Sequence, residues 1–292
     1  MPLAKGFEDP RSYLLNLSLK EPTMTATLLE SLEAWFEPIE GSLTAFSGGV
    51  DSALVLYLSK RFLGQKGIGI IADSPSLKRA DLEIAKRFCQ QFEISLRIIQ
   101  TDELDKVEYK SNPFNRCYYC KDTLYSMMRE LHQSDYANFA LLNGANVDDL
   151  GDFRPGHQAA NEQNILTPLA DCGLDKDDIR ALAKHFELPV WDKPASPCLS
   201  SRIPYGQEVT KEKLTQIESA EIVLNNLGFP EVRVRHFGDL AKIESPVSEI
   251  ERLQSLFLLI ESSLKGIGYK KVEIDKEGLV SGKLNRAISS NG

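Results

Sequence analysis

Between residue 25 and about residue 204, short apolar runs alternate with longer stretches whose apolar residues recur at helical spacing. The runs at 43–46, 67–72, 95–99 and 140–143, with a weaker one at 164–167, have the length and apolar character of strands buried on both faces. The stretches at 53–62, 79–92, 121–132 and 175–186 read as intervening helices, the last with Asp175 as N-cap and Pro189 soon after its end. This alternation predicts an α/β fold, a parallel sheet sandwiched by helices. Each predicted strand ends in polar residues. Asp73 and Ser74, Thr101 and Asp102, and Asn143, Gly144, Ala145 and Asn146 therefore fall at the carboxyl edge, where open α/β sheets bind ligands.

The pattern changes at 193–206, where Pro194, Pro197, Pro204 and Gly206 predict a loop leading into a new unit. Beyond it come a helix at 211–227 stopped by Gly228, strands at 231–237 and 240–244, a helix at 247–264 and a strand at 270–274. That order predicts a smaller C-terminal α+β domain with a mainly antiparallel sheet. The expected organisation is an N-terminal extension over 1–22, a first domain over 23–204 and a second over 205–292 that serves substrate binding or oligomerisation.

A chain of 292 residues can bury two such cores, and 42% hydrophobic with 26% charged residues is a globular composition. No apolar run reaches the length of a membrane span, and 1–21 lacks the apolar core of a secretory signal, so the cytoplasm is expected and no membrane partner. A net charge of −8 and a pI near 5.2 argue against a broad nucleic-acid surface. Five cysteines, an odd number, suit metal-binding or catalytic thiols in a reducing compartment better than a disulfide framework.

Ser47-Gly48-Gly49-Val50-Asp51-Ser52 joins the first predicted strand to a helix. Its two glycines let backbone N–H groups approach phosphate oxygens, the helix start favours that anion, and Ser47 and Ser52 add hydroxyl donors. With Asp73 and Gly144 at neighbouring strand ends, these residues form the expected nucleotide-binding set. The Lys-Ser/Thr ending of a Walker loop is missing, and the plain alternative is a Gly-Ser turn that only links two elements. Asp51, Asp148, Asp149 and Asp152 offer hard oxygen ligands for a Mg²⁺ bridging phosphates, although the last three also suit a solvated acidic loop. Arg154 suits either phosphate charge or those aspartates.

Cys117 and Cys120, two residues apart, can point at one metal or at each other, a spacing shared by redox dithiols and half zinc sites. Cys198 is the other cysteine in a motif-like loop, whereas Cys89 and Cys172 read as small hydrophobes. Three thiolates can hold a four-iron four-sulfur (4Fe-4S) cluster and leave one iron open. Zinc with a further ligand and redox thiols are the other readings. Arg233 and Arg235 share one face of a predicted strand, which suits a phosphate or an exposed strand with no ligand. His157 and His236 adjoin motifs without metal-ligand spacing, so structural or surface roles are expected.

SGGVDS at 47–52, NPFNRCYYCK at 112–121, NGANVDDLGDFRPG at 143–156 and CLSSRIPYG at 198–206 resemble, in order and spacing, the LarE family of ATP-dependent sulfur transferases. These are PP-loop ATP pyrophosphatases, with an adenine nucleotide α-hydrolase-like fold, and the resemblance covers nearly the whole chain after residue 25. It implies ATP and Mg²⁺ as cofactors, with Asp51 and Asp148 at the metal and Asp51 and Cys198 as catalytic residues. It implies adenylation of a carboxylate of pyridinium-3,5-biscarboxylic acid mononucleotide, replacement of the activated oxygen by sulfur, and a place on the route to the nickel-pincer nucleotide of lactate racemase. AMP is the leaving group that makes the acyl carbon open to a sulfur nucleophile.

In one branch of the family a cysteine matching Cys198 gives up its own sulfur and becomes dehydroalanine. In the other, residues matching Cys117, Cys120 and Cys198 hold a 4Fe-4S cluster with a transferable sulfide, and this sequence resembles that branch. The resemblance assigns Arg202, Glu221, Arg233 and Arg235 to the substrate. Expected partners are the small-molecule mononucleotide, a sulfur donor the sequence does not name, and further copies of the chain in a homo-oligomer. The rival readings are another PP-loop enzyme, an NAD or GMP synthetase or a tRNA thiolase, and a non-enzymatic nucleotide or metal-binding module.

Overall fold

A computed structural model of the chain describes residues 24–150, 155–280 and 283. The expected extension over 1–22, Asp152 and Arg154 lie outside them. Helix α1 (Met24–Phe36) leads into β1 (Ser42–Ala45), α2 (Val50–Leu63), β2 (Gly67–Asp73), α3 (Arg79–Gln91), β3 (Ser95–Gln100), the single turn α4 (Val107–Lys110), α5 (Arg116–Asp135) and β4 (Ala140–Leu142). The strands are joined by helical crossovers and so pair in parallel, in the order β3-β2-β1-β4. Ser42 of β1 lies beside Gly67 on one side and Ala140 on the other. β1 is buried along its whole length, and α2 buries Val50, Ala53, Leu54, Val55, Leu56 and Leu58. Sequence order reverses across β1, so the loops after β1 and β4 flank a crevice at the carboxyl edge.

Four further helices complete this unit: α6 (Val147–Leu150), α7 (Pro155–Glu162), α8 (Pro168–Asp171) and α9 (Lys176–His185). Asp175 caps α9 as predicted, accepting from the Asp177 and Asp178 backbone in a capping box. One core cluster packs α2 and α3 with Ile179 and Leu182 of α9, and another packs Leu43, Ile68 and Ile70 against Tyr125, Met128 and Ala159. The strand expected at 164–167 shrinks to a single parallel bridge between Leu142 and Leu166, because Pro168 starts α8 at once.

The second sheet follows α10 (Lys211–Asn226) and comprises β5 (Arg233–Phe237), β6 (Leu240–Glu244) and, after α11 (Ile250–Ser255) and α12 (Phe257–Gly266), β7 (Lys271–Ile274). β5 and β6 are antiparallel, but β6 and β7 are parallel, which corrects the expected mainly antiparallel sheet. The cause is the helical crossover between β6 and β7. The helix expected at 247–264 divides at Leu256, whose φ of −101° and ψ of 7° end one helix before the next begins. Leu224, Phe229, Val234, Ile243, Ile260 and Leu264 fill this core. A separate apolar cluster, Tyr109, Leu199, Ile203, Val209, Leu214 and Ile217, joins α4 to the segment entering α10.

Candidate active site

The predicted nucleotide loop runs from the end of β1 into α2. Gly48 has a φ of +72°, which turns the chain at little cost only in glycine. The Ser47 and Ser52 hydroxyls lie 3.0 Å apart, and Ser52 Oγ accepts from the Ser47 N–H at 3.1 Å. No side chain caps α2, and its first hydrogen bond runs from Ala53 N–H to Gly49 O, so the Val50 and Asp51 N–H groups stand ahead of the ladder and suit an anion. Behind the loop, Lys193 Nζ donates to Gly48 O at 2.9 Å and to Asp81 at 3.0 Å, while Ser196 Oγ donates to Asp81 at 2.8 Å. Gly144 presses on the loop from β4, since a Cβ there would lie 2.6 Å from Ser52 N.

Asp51 accepts from Lys176 Nζ at 2.6 Å and from Asn146 Nδ2 at 3.2 Å. Asp148 instead accepts the Lys176 backbone N–H at 2.9 Å, at the start of α9, and is absent from the cavity wall that Asp51 and Asp149 line. Asp73 likewise lies off that wall and takes hydrogen bonds from Arg79 and from Gln100 at 2.8 Å. Both carboxylates are held by protein donors.

One cavity of about 630 Å³ contains Ser47, Asp51, Ser52 and Gly144 in its wall together with Cys117, Cys120 and Cys198. Cys117 and Cys120 sit on the first turns of α5, which begins five residues before its expected start. Burial, then Cys198, raises the Cys117 thiol, and burial, then the Glu103 carboxylate and Cys198, pushes Cys120 up to about 12. The Cys198 loop is fastened on several sides. Leu199 N–H donates to Ser76 O at 2.9 Å, Arg116 donates to Ser200 O at 3.1 Å, and the Ser76, Tyr109 and Ser200 hydroxyls form a buried ring with contacts of 2.5 to 2.7 Å. Among the described residues no group of three His, Cys, Asp or Glu side chains is set to hold a single metal ion. Cys89 is buried in α3, His157 lines the cavity, and His236 is buried with its Nε2 2.9 Å from Gln216.

The four predicted substrate residues divide into two groups. Arg202, 1% exposed, pairs with Glu221 at 2.8 Å and donates to Pro197 O, Cys198 O and Ser201 Oγ. Glu221 also holds Lys78 at 2.9 Å and the Val234 N–H at 3.1 Å, and Arg235 pairs with Glu244 and Ser201 O. These three side chains are committed to protein partners. Arg233 alone of the four has no hydrogen bond or ion pair among the described residues. Burial and then the neighbouring Arg202 and Arg235 guanidiniums lower its pKa, a surplus of positive charge that suits an anion. Sequence reading missed Lys176, Lys193, Tyr109 and Arg116, whose roles arise from contacts between distant segments.

The fold and the phosphate-binding loop define an enzyme of the PP-loop ATP pyrophosphatase class. A sequence profile of the NAD synthase family matches residues 33–139, the part that holds the nucleotide loop. The chain is 42% identical over 269 residues to an uncharacterized protein of Synechocystis sp., covering 91% of this chain and 100% of that one. It is 31% identical over 265 residues to the pyridinium-3,5-bisthiocarboxylic acid mononucleotide synthase of Lactiplantibacillus plantarum, covering 90% of this chain and 96% of the relative. Over 199 residues it is 28% identical to a glutamine-hydrolyzing GMP synthase component of Sulfurisphaera tokodaii, covering 61% of this chain and 52% of the relative. The chain belongs to the LarE family.

Proposed function

We propose that the enzyme is an ATP-dependent sulfur transferase that adenylates a carboxylate of pyridinium-3,5-biscarboxylic acid mononucleotide and replaces the activated oxygen with sulfur, in the cytoplasm, for the nickel-pincer nucleotide. The observation that carries this reading is the single cavity lined by both the nucleotide loop and three thiols. An acyl adenylate formed there meets sulfur without leaving. The full-length likeness to a synthase named for the thiocarboxylated product supports it. The likeness to GMP synthase favours amidation, but an amidating enzyme has no use for three cavity thiols.

The carboxylate oxygen attacks the α-phosphate, pyrophosphate leaves, and AMP stays on the acyl group. The free N–H groups at the start of α2 and the Lys176 ammonium offset the charge of the departing phosphates. Asp51 and Asp149 would hold Mg²⁺, which takes one or two carboxylates with phosphate oxygens, so the donor set fits. Attack of a sulfur nucleophile on the acyl carbon then expels AMP. Cys117, Cys120 and Cys198 would hold a 4Fe-4S cluster. The soft donors fit, and a cuboidal cluster spreads its thiolates over three irons rather than gathering them on one ion. Such a cluster supplies an iron without a protein ligand, where sulfide can be carried. Arg202 and Arg116 fix the backbone around Cys198, and Arg233 faces the substrate phosphate.

The test is anaerobic purification with iron and sulfide quantified, followed by assay of AMP, pyrophosphate and thiocarboxylate with and without the pyridinium mononucleotide. AMP and pyrophosphate are expected only with substrate, and loss of any one of the three cysteines should abolish repeated turnover. ADP and orthophosphate would overturn the assignment. Dehydroalanine at Cys198 in iron-free protein, with Cys117→Ala still active, would replace the cluster by a sacrificial cysteine.

A further inference from the structure

Two polar side chains on the cavity wall lack the partners that burial demands. Glu103, in the turn after β3, is 2% exposed, and its Oε2 has no hydrogen-bond partner among the described residues; the same is true of the buried Thr101 hydroxyl oxygen. Both residues line the cavity that holds the thiols. The basic residue closest in sequence, Lys106, is turned elsewhere, donating to Thr123 Oγ1 at 2.9 Å and lying 3.6 Å from Asp102. A carboxylate oxygen buried with no donor on it is costly. On a cavity wall, a ligand can supply the missing charge.

A positive charge on the ligand where it meets Glu103 would offset that burial. On the function proposed above, on which this inference rests, the substrate contains an N-ribosylated pyridinium ring with a permanent positive charge and two ring carboxylates. We propose that the Glu103 carboxylate is the counter-charge for the pyridinium ring, and that the Thr101 hydroxyl donates to a ring carboxylate. Glu103 then determines specificity, selecting the charged ring over a neutral aromatic dicarboxylate of the same shape. Lys121 on the same wall does not make this distinction, since it attracts the anionic substituents that both ligands carry.

The experiment titrates full-length wild type, Glu103→Gln, Glu103→Asp and Thr101→Val with three probes: ATP, pyridinium-3,5-biscarboxylic acid mononucleotide, and its analogue with a neutral benzene ring C-linked to the ribose. Wild type should prefer the charged ring by about tenfold or more, and Glu103→Gln should lose that preference while its affinities for ATP and the neutral analogue stay within roughly twofold. Ligand-free Glu103→Gln should unfold at or above the wild-type temperature, because a buried unpaired charge is gone. Glu103→Asp keeps the charge and should keep a preference for the cation. Thr101→Val should weaken both ring ligands together and preserve their ratio. Unchanged preference in Glu103→Gln, or equal losses for both ring ligands, overturns the inference while the sulfur-transfer reading stands. A parallel loss of ATP affinity reassigns the carboxylate to the adenine amino group and overturns it too. Wild type that binds ATP but neither ring ligand instead sinks the proposed function itself, and this inference with it.

Discussion

Lys176 brings to the nucleotide loop the ammonium that the loop's own sequence lacks. It arrives from the start of α9, 125 residues after Asp51, and lies 2.6 Å from Asp51 Oδ2. In Lys176→Ala, Asp51 would face the phosphates uncompensated. ATP affinity should fall roughly tenfold to hundredfold, equivalent to about 1.5–3 kcal/mol, in a calorimetric titration with Mg²⁺; unchanged affinity would take Lys176 out of the site. Arg233 and Arg235 separate by the same logic. Arg235→Ala takes the closer of two cations from buried Glu244, Lys283 remaining at 3.9 Å, and should lower the unfolding free energy by about 3 kcal/mol in urea. Arg233→Ala should leave stability within about 0.5 kcal/mol and weaken the mononucleotide alone. The shared face of these arginines was legible from their spacing of two. Their difference was not, because Glu244 comes from the neighbouring strand and Ser201 from a remote loop.

Among the elements, β1, the glycine loop and α2 were legible because strand, turn and helix signals agree within twenty residues. The beginning of α5 was not. Two cysteines and two tyrosines carry little helix propensity, and the turn that Arg116 opens is anchored from outside by Asn112, whose Nδ2 donates to Pro204 O at 2.8 Å and Gln207 O at 3.0 Å. The parallel placement of β7 escaped for a related reason, since alternation within a strand says nothing about its neighbour's direction. Gly144 shows how closely two elements can depend on one atom. Gly144→Ala would put a methyl group 2.6 Å from Ser52 N and 2.8 Å from the Asp51 carbonyl carbon, both backbone. The expected cost is about 1–3 kcal/mol of stability, with ATP affinity reduced beyond what partial unfolding explains, as read by urea denaturation and nucleotide titration.

In the whole molecule, Glu221 ties together parts that the sequence presents as separate. Its carboxylate joins Lys78 before α3, Arg202 beside the Cys198 loop and the Val234 N–H of the second sheet. Glu221→Gln leaves buried Arg202 without its counter-charge and should cost about 3 kcal/mol of stability in urea. Because Arg202 also holds the Pro197 and Cys198 carbonyls, thiocarboxylate formation should fall more than AMP formation, which a product ratio from one assay reads directly. Equal falls would confine Glu221 to stability.

The pairing of β1 with β4 also sets a timetable. It unites stretches about a hundred residues apart, so closing it is entropically dearer than pairing β1 with β2. During synthesis the first three strands can assemble while the wall opposite the glycine loop is still unmade, and Lys176 emerges later again. The growing chain therefore exposes a half-built crevice that gains its grip on nucleotide only near the end of the first sheet's assembly, and ATP can stabilise that sheet only after its costliest contact is in place.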